Sequence, residues 1–200
     1  MTRLAVARWG AGAAVVAGSF WIVKAASILL TGDQPPLVFE LAFVLFPVAL
    51  IGLYAASGRR GGRLATCGLA LAIIAGVSAV VTGLGALLGP DDWTPRGDTV
   101  TVLTPFIALA GLGTFVALLL LGLALRRTTA LPARWRTLPL ALAVSALPLM
   151  VIGGALAAVN ERLLEVPLLL LGVGWIALGA VLAHVAMYGP STQASAPLGG

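Results

Sequence analysis

The sequence predicts an all-α polytopic membrane protein, six transmembrane helices packed as one bundle. Three observations carry this. The chain of 200 residues is 60% hydrophobic and only 10% charged, against roughly 25% charged in a soluble domain. Its mean hydropathy is +1.08, so too little polar surface exists to cover a water-soluble globule. Finally, six apolar runs of 20 to 26 residues follow one another along the chain. A helix needs about 20 apolar residues to cross a hydrocarbon core of about 30 Å.

The runs predict helices at 9–30, 37–56, 64–88, 100–125, 138–159 and 166–188. None alternates polar and apolar residues, as the strands of a membrane barrel would. Helices satisfy their own backbone in lipid, which makes a bundle the expected architecture. The first run follows Arg3 and Arg8 but is too long for the apolar core of a secretory leader, and is read as an uncleaved helix. Residues 1–188 thus form one transmembrane domain. The uncharged, turn-rich stretch 189–200 is read as a flexible tail.

The short connections leave no room for a soluble domain, so any chemistry must sit within the bundle or at its rims. Charge gives the expected orientation. Nine basic residues fall on one side: Arg3, Arg8, Arg59, Arg60, Arg63, Arg126, Arg127, Arg134 and Arg136. All seven acids fall on the other: Asp33, Glu40, Asp91, Asp92, Asp98, Glu161 and Glu165. Basic residues are retained in the cytoplasm, which places both chain ends there. Trp9, Tyr54, Trp135 and Tyr188 are expected near the inner interface and Trp93 near the outer one, while Trp21 and Trp175 fall deeper, as packing residues. Arginine outnumbers lysine 11 to 1 and Ala, Gly and Leu dominate. That usage suggests a GC-rich bacterium, and hence the bacterial inner membrane.

Small residues recur at four-residue spacing: Gly10, Ala14 and Gly18 in the first helix, Gly68, Ala72 and Gly76 in the third, and Ser145, Gly153 and Ala157 along a face of the fifth. Such spacing lets helix backbones approach closely. Pro47 and Pro148 lie mid-membrane and are expected to kink their helices. Pro105 and Pro167 lie near helix starts, where proline is tolerated.

Lys24 is the one charge well inside an apolar run. Glu40 lies near the start of the next helix, across a short connection. An ionisable group inside a membrane usually pairs or faces water, and often marks a ligand site or pathway. The candidate binding site is therefore an outward-facing polar pocket of Lys24, Glu40, Asp33 and Trp21. Each member also has a plainer reading. Lys24 can snorkel to headgroups, and Glu40 can be a first-turn acid favoured by the helix dipole. A buried pair can also merely fix the packing.

No catalytic or metal site is assigned, and no cofactor. His184 and Cys67 are each the only residue of their type, which excludes an intramolecular disulfide and a paired-cysteine motif. The stretches Gly76-Val77-Ser78 and Ala183-His184 resemble fragments of the rhomboid intramembrane proteases over about five residues. Depth sets this aside. Ser78 is expected roughly 21 Å from the inner end and His184 roughly 6 Å, whereas a general base must come within about 3 Å of its nucleophile. The acids Asp91, Asp92 and Asp98 read as a solvated loop around Trp93.

The chain is accordingly read as a non-enzymatic accessory, sensing or interaction protein. The alternative is a small transporter or channel using the pocket around Lys24 and Glu40. The expected partner is the lipid bilayer, with a membrane-protein partner or a second copy of the chain as further candidates. No basic stripe interleaved with aromatics points to nucleic acid.

Overall fold

The computed structural model describes residues 2–35, 37–93 and 99–188. The tail 189–200, Pro36 and residues 94–98, Asp98 among them, lie outside the described residues. Six helices are long and apolar enough to span a membrane: α1 (Arg3–Thr31), α2 (Val38–Ser57), α3 (Gly62–Leu88), α4 (Thr104–Arg126), α5 (Leu138–Ala157) and α6 (Val166–Tyr188). Short 3-10 turns join several of them, including Glu161–Glu165 before α6.

The starts of α2 and α3 lie within two residues of expectation, while those of α1 and α4 differ more, each for a local reason. α1 begins at Arg3 and not Trp9, because the Thr2 hydroxyl accepts the Ala5 N–H at 3.4 Å and caps the helix. α4 begins at Thr104 and not Val100, because the Thr104 hydroxyl accepts the Thr101 N–H at 2.8 Å and closes a turn there. Pro105 then occupies the first helical turn, where its missing N–H costs nothing.

The helices pack in sequence, and α6 closes the ring by packing along α1. α2 lies innermost, touching α1, α3, α4 and α6. Small residues set several of these contacts, and the stripes of α1 and α3 each divide between two neighbours. Gly10 crosses α2 at Gly52, where an added Cβ would lie 2.4 Å from the Gly52 Cα. Gly18 crosses α6 at Gly172, where it would lie 2.6 Å from the carbonyl oxygen. Ala14, fully buried, lies between the two crossings. On α3, Gly68 faces Leu121 of α4 while Gly76 faces Pro47 of α2.

The bundle has an arginine-rich end and an acid-rich end. At the first, Arg3, Leu4, Ser57, Thr128 and Val185 border one groove, which gathers the start of α1, the ends of α2 and α6 and the α4–α5 connection. The Arg8 guanidinium donates to the Ala186 carbonyl at 3.4 Å. At the acid-rich end, α1 stops at Gly32, whose φ of 88° is the left-handed C-cap that glycine adopts without penalty. Here the Arg162 guanidinium lies against Gly32, so a side chain would also meet Arg162. That cation sits at the negative end of the α1 dipole.

Candidate functional site

Lys24 points inward and is 6% exposed. Its partner is Glu165, not Glu40: the Nζ–Oε1 distance is 2.7 Å. Glu165 closes the 3-10 turn immediately before α6, at the positive end of that helix's dipole. The contact exists because α6 packs along α1 and brings the α5–α6 connection over the last turns of α1. Lys24 Nζ also lies 5.5 Å from the centroid of Phe39, within the range of a cation–π attraction. The second carboxylate oxygen of Glu165 is buried and finds no hydrogen-bond partner among the described residues.

Neighbouring residues of a helix point about 100° apart. Phe39 reaches Lys24 on α1, whereas the Lys24 amine is paired with Glu165 and not with Glu40. Glu40 faces α3 and α4 instead, where it lines a cavity of about 330 Å³. The walls are Phe39 and Phe43 of α2, Ala79, Thr82, Gly83 and Ala86 of α3, and Leu103, Ile107 and Ala110 at α4, with Gln34 beside them. Glu40 Oε2 and Thr82 Oγ1 are both buried with no hydrogen-bond partner among the described residues.

The four residues expected to share a pocket therefore separate. Trp21 is a core residue, 5% exposed, with its ring edge-on to Phe46 at 5.0 Å between centroids. Phe46 in turn lies 4.5 Å from the ring of Trp175, which is fully buried. Asp33 is exposed, and it is its backbone carbonyl that accepts the Ser27 hydroxyl at 3.0 Å. Lys24 belongs to the ion pair, and Glu40 alone borders the cavity. The sequence reading missed Glu165 and Thr82. A signal for Glu165 exists: the acid is flanked by Leu163, Leu164, Val166 and Pro167, an apolar setting that a solvated loop acid does not need.

Other polar side chains are held by their own helices. The hydroxyls of Ser57, Thr114, Thr128 and Ser145 donate to the carbonyls of Tyr54, Ala110, Leu125 and Leu142 at 2.7, 2.7, 3.1 and 3.1 Å. Ser78 is buried in α3, 16 residues beyond its start at the arginine-rich end. His184 is exposed near the arginine-rich end of α6, its ring 4.8 Å from Tyr188. Their depths differ by roughly 18 Å at 1.5 Å per residue. Cys67 is exposed on the wall of a wide groove of about 800 Å³, which Arg3, Tyr54 and Arg63 also border.

No protein-family model, curated protein or solved structure matches this chain.

Proposed function

We propose that this chain is a multi-pass membrane protein that acts without catalysis, as an accessory, sensing or interaction protein. The closed centre of the bundle carries the reading. Trp21, Phe46 and Trp175 fill the middle of α1, α2 and α6 in consecutive ring contacts. Lys24, the one cation at that depth among the described residues, is neutralised in direct contact by Glu165. A conducting path needs polar or charged groups along its length, and these residues replace one with packed rings. The hydroxyls of Ser57 and Thr114 are spent on the carbonyls of Tyr54 and Ala110.

The arginines of one end and the acids of the other support an orientation with both chain termini in the cytoplasm, and the excess of arginine over lysine supports a bacterial inner-membrane setting. The second reading, a small transporter or channel, retains support only from the Glu40 cavity, because Lys24 is not among its walls.

Reconstitution tests the choice. The purified chain in proteoliposomes is expected to pass protons, sodium and potassium no faster than empty vesicles. Flux above that baseline, abolished by Lys24→Met or Glu40→Gln, would establish the transport reading instead.

A further inference from the structure

We propose that the cavity between α2, α3 and α4 is a binding site for an ammonium group attached to an apolar body, with Glu40 as counter-ion. This goes beyond the non-catalytic reading and supplies a ligand for it. Four features of the cavity point there. Its carboxylate oxygen, Glu40 Oε2, is buried and lacks a partner among the described residues. Thr82 Oγ1, in the same state, lines the same space. Among the described residues no basic side chain lines the cavity, and the nearby cation Lys24 is engaged by Glu165. Phe39 and Phe43 contribute aromatic rings to the lining, and the other walls are mostly small or aliphatic.

Glu40 is half-buried, and its buried, unpartnered carboxylate oxygen calls for a compensating charge or a donor. An ammonium provides both. The aromatic rings attract the same group through their quadrupoles, while the hydroxyl of Thr82 can accept one of its hydrogens. An anion would meet Glu40 with no cation among the described lining residues to offset it. A neutral apolar molecule would leave both polar atoms unpaired. The volume of about 330 Å³ is at the small end of the roughly 300–1,000 Å³ of small-molecule pockets, which favours a one-ring amine over a larger compound. Two sources share this chemistry, a free amine and the amine headgroup of a lipid.

The test is calorimetric titration of the full chain in maltoside micelles, which hold no amine, with 2-phenylethylammonium as probe and 3-phenylpropionate as its anionic counterpart. Saturable one-to-one binding of the ammonium and none of the carboxylate is expected. Glu40→Gln is expected to weaken binding at least tenfold. Thr82→Val should weaken it several-fold, and Gly83→Leu, which projects into the space beside Glu40, should abolish it. Asp33→Asn, an exposed acid outside the cavity, should leave the affinity unchanged.

Repeating the titration in phosphatidylethanolamine nanodiscs separates the sources. Weaker probe binding there identifies the lipid amine as occupant, and unchanged binding a free amine. No saturable binding by the parent chain, or equal affinity in folded Glu40→Gln and Thr82→Val, would overturn the site and leave a cavity holding water. Should Glu40→Gln fail to fold, Thr82→Val and Gly83→Leu still decide. Loss of the site would leave the non-catalytic reading standing, and flux in proteoliposomes would remove that reading without touching the site.

Discussion

Lys24 and Glu165 stand 141 positions apart in the chain and 2.7 Å apart in the bundle. One sits about two turns from the end of α1 and the other immediately before α6. Their contact ties the first helix to the last, beside the Arg162–Gly32 contact at the same end. The α5–α6 connection thus offers an acid to the lysine and a cation to the C-terminus of α1, each at the position where its charge is favoured.

Removing one member of a buried pair leaves the other charge uncompensated, at a cost of roughly 3–5 kcal/mol. Lys24→Ala and Glu165→Ala are each expected to destabilise the bundle by that order. Replacing both at once, as Lys24→Met with Glu165→Leu, should restore most of the loss, because an apolar pair of similar volume avoids the desolvation. Thermal unfolding of the three variants in detergent measures the coupling. Additive losses would mean that the two residues stabilise the bundle independently.

A second expectation concerns backbone strain. Leu37, the residue before α2, has φ of 63° and is the one non-glycine residue with positive φ among those described. The left-handed region costs a side-chain-bearing residue roughly 1–2 kcal/mol. Leu37 is 45% exposed, so its side chain contributes modest packing in return. Leu37→Gly is expected to keep the fold and raise stability by up to about 1 kcal/mol. A loss of 2 kcal/mol or more would show that its side-chain contacts outweigh the strain.

The number of helices and most of their limits were legible in the sequence, because spanning length and hydropathy are properties of each segment alone. The four-residue small stripes marked close packing correctly. They could not show that Gly10 turns to α2 and Gly18 to α6, since that depends on where the ring closes. The same closure hid the partner of Lys24. Sequence proximity favoured Glu40, across a short connection, while the α1–α6 contact delivers Glu165. Glu40 itself was found as a residue of interest, yet its direction was not. Adjacent residues diverge by about 100°, so Phe39 reaches both Lys24 and the cavity while Glu40 borders the cavity alone.

Orientation in the membrane is open to direct labelling. In a Cys67→Ala background, Arg126→Cys and Asp92→Cys place single thiols at exposed positions on opposite ends of the bundle. With the arginine-rich end in the cytoplasm, an impermeant maleimide added to intact cells is expected to label the Asp92→Cys protein alone. The Arg126→Cys protein should react only after the membrane is opened. The reverse pattern would invert the topology and put the Glu40 cavity on the cytoplasmic side.

The crossing of α1 and α2 provides the sharpest contrast, because two glycines two residues apart should respond with opposite sign. At Gly10 an added Cβ would lie 2.4 Å from the Cα of Gly52, a backbone atom that cannot rotate away. At Gly12 nothing lies within 4 Å. Gly12→Ala should therefore gain the helix-propensity difference alone, up to about 1 kcal/mol. Gly10→Ala gains the same propensity but must push two helices apart, and overpacking typically costs about 1–3 kcal/mol. The shift also strains the Gly18–Gly172 crossing farther along α1, so the loss is expected towards the upper end of that range. Unfolding of both variants in parallel reads the sign directly. A stabilising Gly10→Ala would mean that α1 and α2 do not approach this closely in the membrane.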